Sequence, residues 1–402
     1  MSRKEIRTGG WLRRRRRTRQ ARSCRLGVSS KGGGRTSNGP VLNGRSGPGS
    51  DVRYCAVSFD DLPGWRYGSD DDLGIPGGLR AYLQSLGVLR EIYPNLSPPD
   101  ENQSARDYFE NRFTPYRVSI DGPAAPRGFF TGYFEPVLNG SRTRRATYSV
   151  PVLKIPDDLI ELVDDAMRPV ASAAGELSHG RVVNDTIAPY YNRREIELGA
   201  LEGRGLEICY LDDPVGAFIL HVQGSGVIAF EDGERIRVSY AAKNGYPYTS
   251  IGQLLINDGV FDAESMTLEA LTAWLKAAPE LARGVMWRNE SYVFFEELGA
   301  FDDVGQVGVR SIRLTAGHSL AVDTSIHDAG LPAYLVIDDL QMSSDVEGFR
   351  RLMVMQDTGS AIRGAARGDI FYGTGPEAGD IAGRTRHYGD LYVFLPRNAG
   401  GA

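Results

Sequence analysis

The last hundred residues of this 402-residue chain consist of short apolar runs separated by glycine and aspartate. Each run is too short for a typical helix, and turn-forming residues divide it from the next. The runs are SIRLTAG, SLAVD, AYLVIDD, RLMVMQD, GDIFYG and DLYVFLP. Strands this short and this close together favour a compact barrel or sandwich over a sheet built from β-α-β units.

The rest of the chain adds more strands and a few helices. Apolar residues at helical spacing in GGLRAYLQSLGVLREIYP predict a packing helix, and SARDYFENRF predicts a shorter one. Residues 264–278 predict a third helix that ends before Pro279. We interpret RGFFTGYFEPVLNGS, AFILHVQGSGVIAF and RIRVSYA as strands. The predicted fold class is therefore mainly β, with a few packing helices.

Charge divides the chain into two unlike parts. Residues 1–50 contain 14 basic residues and one acid, a net charge of +13, whereas the remaining 352 residues carry a net charge of -18. Glycine, serine, asparagine and arginine bury too little apolar surface to offset chain entropy, so we expect a disordered head at 1–50. An upstream start site, a degenerate export signal and a nucleic-acid-binding tail are the alternatives. The acidic body disfavours nucleic acid, because phosphate binding requires basic surface.

Cysteine and histidine give no sign of a metal site or a cofactor. The three cysteines, Cys24, Cys55 and Cys209, are too far apart in sequence for a disulfide framework or a CxxC site. The five histidines show no paired spacing. GTGPEAG lacks the G-x-G-x-x-G pattern, so a dinucleotide site is not predicted either. We expect no metal and no cofactor.

Two aspartates stand out in the string VMQDTGSAIRGAARGDIFYGTGPEAG. Asp357 ends one predicted strand and Asp369 opens the next, and small residues connect them. Such a connection can fold back and bring both carboxylates to one rim of a barrel. The residues alone leave two interpretations open: each acid belongs to a turn, or the two acids share a catalytic site.

Aromatic and amide side chains occur repeatedly near glycines. Sugars are bound by this chemistry, because ring faces stack on aromatics and sugar hydroxyls bond to amides and hydroxyls. The alternative is that these residues occupy hairpin turns and strand faces. Together they favour a glycan groove; the residues are Tyr133, Phe134, Gln223, Ser225, Asn244, Tyr246 and Tyr248.

The segments quoted above, from RGFFTGYFEPVLNGS through AFILHVQGSGVIAF to VMQDTGSAIRGAARGDIFYGTGPEAG, resemble in this order the membrane-bound lytic murein transglycosylase A family. The C-terminal part of that family is a 3D (three-aspartate) domain. The resemblance covers roughly Ser58 to Pro396, and its most specific elements are VQGSG, KNG and GDIFYGTGPEAG. It implies a double-psi β-barrel at 51–137 and 298–402, with a smaller β-rich domain inserted at 138–297 and a glycan groove between them.

The resemblance also implies a reaction and a set of site residues. The expected activity is cleavage of the β-1,4 bond between N-acetylmuramic acid and N-acetylglucosamine in peptidoglycan, with formation of a 1,6-anhydro ring. Asp369 falls on the position of the acid that later acts as base, and Asp357 on that of a second aspartate that supports the site. The family positions that line the groove are Thr131, Tyr133, Gln223, Ser225 and Asn244.

The family is exported and carries a lipid anchor on a cysteine after a short apolar signal. We therefore expect a periplasmic protein whose partner is the peptidoglycan glycan strand. Neither Cys24 nor Cys55 follows such an apolar run, so an export signal is not evident and attachment to the outer membrane stays open. Two other functions also stay open: a glycoside hydrolase that uses both aspartates around water, and a glycan-binding module without catalysis.

Overall fold

The structure is a computed structural model that describes six parts of the chain. The basic head at 1–50 lies outside them. The described residues are 52–120, 127–162, 177–300, 305–341, 348–359 and 361–397.

Strands dominate these parts, which confirms the predicted mainly β class. The strands are β1 (Val52–Ala56), β2 (Phe113–Ile120), β3 (Gly128–Glu135), β4 (Val137–Ser141), β5 (Val150–Leu153), β6 (Ile160–Glu161), β7 (His179–Val183), β8 (Thr186–Pro189), β9 (Glu207–Leu211), β10 (Ser225–Phe230), β11 (Arg235–Lys243), β12 (Val293–Ala300), β13 (Ser319–Val322), β14 (Pro332–Ile337), β15 (Phe349–Asp357), β16 (Arg367–Thr374) and β17 (Arg386–Pro396).

The helices are mostly short and lie between or beside the strands. They are α1 (Ile75–Ile92), α2 (Ala105–Arg112), α3 (Arg193–Glu195), α4 (Pro214–Gln223), α5 (Ile251–Asn257), α6 (Leu268–Ala277), α7 (Pro279–Met286) and α8 (Pro376–Arg384), with a π-turn at Ile196–Ala200 and 3₁₀ turns at Phe59–Asp61 and Val309–Ser311. Among the described helices, none is long and apolar enough to cross a membrane.

An eight-stranded sheet joins the two ends of the described chain. Its strand order is β1-β2-β17-β14-β15-β13-β16-β3, and β17 also pairs with β3. β13 lies between β15 and β16, parallel to the first and antiparallel to the second. The strands that carry Asp357 and Asp369, β15 and β16, are therefore separated by one strand.

The middle of the chain forms two further sheets. The larger has the order β12-β11-β10-β4-β9-β5, and the smaller is β6-β7-β8. β4 follows directly from β3, so the chain passes from the eight-stranded sheet into the six-stranded sheet at Pro136. The side chains at this passage link the two sheets.

Helix α1 covers one face of the eight-stranded sheet. It begins at Ile75 with Pro76 in the first turn, where proline suits a helix, and it buries Tyr82 and Leu89. Gly78 permits the close packing, because a Cβ at this position would lie 2.6 Å from the Cγ of Leu352 on β15. The sequence periodicity predicted this helix, and the structure confirms it.

Two predicted strands are wrong. The segment AFILHVQGSGVIAF is not one strand: it contains the end of helix α4, which stops at Gly224, and then strand β10. Asp213 caps this helix by accepting a hydrogen bond from the Val215 amide at 2.9 Å, and Gly224 ends it in the left-handed region with φ of 81°. SIRLTAG begins at the last residue of the 3₁₀ turn, Ser311, and forms a single bridge at Arg313 instead of a strand.

A buried ion pair joins the two larger sheets. Glu135, at the end of β3, is 0% exposed, and Arg237 on β11 is 5% exposed. The Arg237 guanidinium donates to both carboxylate oxygens, at 2.6 and 3.1 Å. Thr374 on β16 donates a third hydrogen bond to Glu135 at 2.7 Å. Breaking such a pair leaves a buried charge, so the pair fixes β3 against the six-stranded sheet.

Candidate active site

The two aspartates lie on either side of one residue of β13. Ala321 is the register partner of Asp357 on β15 and also of Asp369 on β16. Directly paired residues point to the same face of a sheet, so both carboxyl groups lie on one face. The fold thus brings together the two acids that the sequence placed on separate strand ends.

Strand β3 lies beside Asp369 on the side away from β13 and adds two polar residues. We call Asp357, Asp369, Thr131 and Tyr133 the polar row. Thr131 is the register partner of Asp369, and Tyr133 is the partner of Phe371 two residues further on. The hydroxyl of Thr131 donates to Asp369 Oδ1 at 2.6 Å, and the hydroxyl of Tyr133 donates to Asp357 Oδ2 at 2.7 Å. Each carboxylate therefore has its own hydroxyl donor from β3.

Both aspartates have a raised pKa. Burial raises the pKa of Asp369 to about 6, while Arg367 and the Thr131 hydroxyl act in the opposite direction. Burial also raises the pKa of Asp357 to about 6, against hydrogen bonds from Tyr133 and the Thr358 amide. The charge of Asp369 raises the pKa of Asp357 further. A carboxyl group with such a pKa can donate a proton near neutral pH.

Arg367 is a residue of this site that sequence analysis missed. It precedes Asp369 by two residues on β16, so it lies on the same face, and its guanidinium donates to Thr131 Oγ1 at 2.7 Å. The Thr131 hydroxyl accepts this bond and donates its single proton to Asp369. The period-two spacing between Arg367 and Asp369 was the available signal.

Asp323, the residue after β13, was missed as well. It is 4% exposed, and its Oδ2 accepts a hydrogen bond from the Gly364 amide at 2.9 Å. Its Oδ1 accepts from the Ser325 hydroxyl at 2.6 Å. Asp323 thus ties the connection between β15 and β16 to the end of β13, and its position at a strand end, like that of Asp357, was the available signal.

Comparisons with known proteins match two consecutive parts of the chain. Residues 129–296 match the family model described as "MltA specific insert domain", and residues 318–395 match the "3D domain" model. The crystal structure of membrane-bound lytic murein transglycosylase from Agrobacterium tumefaciens is 35% identical, with a TM-score of 0.73. It matches over 86% of this chain and 98% of its own.

This chain belongs to the membrane-bound lytic murein transglycosylase A family. A curated relative of that name from Vibrio cholerae is 31% identical over 274 residues, which is 67% of this chain and 66% of the relative. The match therefore spans just under two thirds of that relative's length. The Escherichia coli member with bound chitohexaose is 25% identical, covers 86% of this chain and 92% of its own, and has a TM-score of 0.59.

Two further predicted site residues, Gln223 and Ser225, lie where α4 meets β10. The side chain of Gln223, the last residue of α4, accepts a hydrogen bond from the Phe134 amide at 3.0 Å. Ser225 is 1% exposed, and its hydroxyl has no hydrogen-bond partner among the described residues. Gln223 therefore contacts the strand that carries Thr131 and Tyr133.

Asn244 occupies a different environment from the other predicted site residues. It is 0% exposed, and its amide donates to the Tyr191 and Glu290 carbonyls, both at 2.9 Å. Its carbonyl accepts from the Tyr292 amide at 2.9 Å. Because both amide hydrogens are used by the backbone, Asn244 stabilises the end of β11 and has no free donor for a sugar.

The described residues give no group of three or more His, Cys, Asp or Glu side chains that could hold a metal ion. The site chemistry is carried by carboxyl groups, hydroxyls and one guanidinium. Burial and Asp357 raise the pKa of Tyr133 well above its usual value, so Tyr133 stays protonated as a donor. The arrangement can transfer protons at Asp369 and place negative charge at Asp357.

Proposed function

We propose that this protein is a peptidoglycan lytic transglycosylase that leaves a 1,6-anhydro ring on N-acetylmuramic acid. The observation that carries the proposal is the position of Asp369, held by Thr131 at 2.6 Å with its pKa raised to about 6. A carboxyl group of this kind can serve first as an acid and then as a base. The names of the relatives support the same activity.

In the first step, Asp369 protonates the oxygen of the β-1,4 bond. Since Oδ1 accepts the hydrogen bond from Thr131, Oδ2 is the oxygen that carries the proton. The bond between the muramoyl anomeric carbon and this oxygen breaks, and N-acetylglucosamine leaves with the proton. Asp369 has given up its proton and is then an ionised carboxylate.

In the second step, the Asp369 carboxylate takes the proton from the muramoyl C6 hydroxyl. The C6 oxygen bonds to the anomeric carbon, which closes the anhydro ring and restores the protonated acid. The nucleophile belongs to the same sugar, so its proximity lowers the barrier and no water is consumed. One acid/base group is therefore enough, whereas glycoside hydrolysis ordinarily uses two carboxyl groups.

Asp357 supports this reaction by charge. Positive charge develops on the sugar ring as the bond breaks, and an ionised carboxylate nearby stabilises it. The hydrogen bonds from Tyr133 and from the Thr358 amide favour the ionised form of Asp357. We assign Asp357 this electrostatic role.

Groove residues beside the carboxyl groups would bind the glycan. We propose Gln223 and Ser225 as hydrogen-bond donors for this role, Thr131 and Tyr133 as acceptors because their hydroxyl protons are donated to the aspartates, and Asn244 as a buried support of the groove. The unpaired hydroxyl of Ser225 supports this, because a buried donor without a partner is costly until it is bonded. The E. coli relative with bound chitohexaose supports a β-1,4-linked aminosugar chain as ligand.

We further infer that the eight-stranded sheet is a double-psi β-barrel at 51–137 and 298–402, with an inserted domain at 138–297. The pairing of β17 with β3, as well as with β2 and β14, supports a closed sheet. The groove would lie between this barrel and the six-stranded sheet. A periplasmic location, with attachment to the outer membrane, is supported by the names of membrane-bound relatives.

The test is digestion of purified murein sacculi followed by mass spectrometry. Muropeptides with 1,6-anhydro ends are lighter than hydrolysed ones by one water, and these are the expected products. Reducing muramic acid ends as the sole product would show a hydrolase that uses Asp357 and Asp369 together. Binding to sacculi without any cleavage would show a glycan-binding module.

A further inference from the structure

The polar row that contains Asp369 does not end at Thr131. Strand β17 pairs with β3 on the side of β3 opposite β16, and Arg386 is the register partner of Thr131. Tyr388 is likewise the partner of Phe129. Paired residues share a face, so Arg386 and Tyr388 lie on the face that carries the two aspartates.

These residues form a small shelf, defined here as Phe129, Arg386 and Tyr388. The rings of Phe129 and Tyr388 lie 5.3 Å apart at 50°, and Tyr388 is 56% exposed. Arg386 is exposed, and within the described parts of the chain no carboxylate pairs with it. The guanidinium of Arg367 lies 5.3 Å from the Phe129 ring, which joins the shelf to the acid site.

The shelf lies on the far side of Thr131 from the six-stranded sheet. Strand β3 runs from Gly128 to Glu135, and Glu135 is bonded to Arg237 of that sheet. Tyr133 is therefore on the side of the six-stranded sheet, and Phe129 is on the opposite side. A glycan between the sheets would run past Tyr133, which leaves the Phe129 side of Asp369 open to a group that branches from the sugar.

We propose that the shelf is a subsite for the peptide carried by the muramoyl residue whose bond is cleaved. The inference rests on the proposed function. The glycan backbone is uncharged, but the attached peptide has free carboxylates, which a guanidinium binds with charge-assisted hydrogen bonds. The exposed tyrosine ring offers a flat apolar surface to the peptide's methyl groups and amide planes.

The experiment compares two substrates that differ only in charge on the peptide. One is a preparation of soluble glycan strands with uncross-linked peptides, and the other is the same strands with peptide carboxylates converted to methylamides. The wild-type protein should lose about tenfold in kcat/KM on the amidated strands, the size of one charge-assisted hydrogen bond. The loss should fall on KM, because binding of the peptide is remote from the reacting bond.

The Arg386→Gln variant should show about the same KM on both substrates, with the wild-type preference lost. Arg386→Lys should restore part of the preference because the charge returns. Arg283→Gln is the matched control, since Arg283 is an exposed arginine on α7 and its loss should leave the preference of the wild type. Tyr388→Ala should raise KM on peptide-bearing strands a few-fold.

Other outcomes overturn the inference. Arg386→Gln with a wild-type preference would show that the shelf does not bind the peptide carboxylates. An equal fall in kcat on both substrates would show that Arg386 acts on the acid site instead. A wild-type protein that makes no anhydro ends from either substrate would overturn the proposed function itself, which is a separate result from a missing preference.

Discussion

Thr131 and Asp369 lie side by side on parallel strands, and the threonine hydroxyl donates to the carboxylate at 2.6 Å. The same hydroxyl accepts a hydrogen bond from Arg367 at 2.7 Å. A hydroxyl has one proton, so the bond from Arg367 directs that proton to Asp369. The result is a directed chain of hydrogen bonds that ends on Oδ1 of Asp369, and in the proposed mechanism the second oxygen, Oδ2, carries the catalytic proton.

Asp369→Asn should abolish turnover while glycan binding stays within a few-fold of the wild type. An amide cannot exchange the proton, and general acid–base catalysis contributes roughly 10² to 10⁴ in rate. Anhydro product is measured by mass spectrometry and binding by pull-down with sacculi. Asp380→Asn, at an exposed aspartate on α8, is the control and should keep full activity. Substantial activity in the Asp369 variant would remove Asp369 from the acid/base role.

Thr131→Val should lower kcat about tenfold and move the alkaline limb of the pH–rate profile to higher pH. The hydrogen bond from Thr131 favours ionised Asp369, so its loss raises the pKa of Asp369 above the present value of about 6. Since the acid must be protonated to start the reaction, the variant stays active to higher pH. The loss of one hydrogen bond to a charged group accounts for the tenfold fall in kcat. Thr131→Ser keeps the donor and should restore the wild-type profile.

Tyr133→Phe should move the acidic limb of the pH–rate profile to higher pH. The Tyr133 hydroxyl lowers the pKa of Asp357 from what burial alone would give, so its loss raises the pKa above about 6. Asp357 must be ionised to stabilise the sugar cation, and the variant should therefore lose more activity at pH 5 than at pH 7. Profiles of kcat measure this, and an unchanged acidic limb would argue against an ionised Asp357.

Arg237→Met should destabilise the protein by about 3 to 5 kcal/mol, since it leaves the Glu135 carboxylate buried without its partner. Urea unfolding gives this free energy. The exposed pair Arg144 and Glu202, at 2.7 Å, is the matched control, and Arg144→Met should cost about 1 kcal/mol or less. Equal effects of the two substitutions would mean that the Glu135–Arg237 pair contributes no more than a surface pair.

Local patterns predicted much of the fold. Short apolar runs bounded by turn residues identified β3, β11 and β14 to β17, and helical spacing identified α1. The prediction of a single strand for AFILHVQGSGVIAF was wrong because its apolar run fits a buried strand as well as a buried helix. The capping Asp213 and Pro214 lie just before the segment, and they decide in favour of the helix.

The acid pair was predicted from the residues themselves, whereas the residues around it came from the family resemblance or were missed. Asp357 and Asp369 are close in sequence, so a short connection was enough to expect them together. Thr131 came only from the family resemblance, since it is 238 positions from its partner Asp369. Asn244 was predicted to bind sugar, but whether an amide faces a groove or the backbone depends on the packing around it. Arg367 lies two residues before Asp369, which places both on one face of a strand, but its bond to Thr131 depends on β3 lying beside β16.

Digestion of sacculi in H₂¹⁸O tests the central claim most directly, which is that Asp369 works without water. The proposed mechanism predicts new muramoyl ends that contain no ¹⁸O, have the anhydro mass and resist borohydride reduction. New ends that contain ¹⁸O and are reducible would contradict it, because water would then have attacked the anomeric carbon.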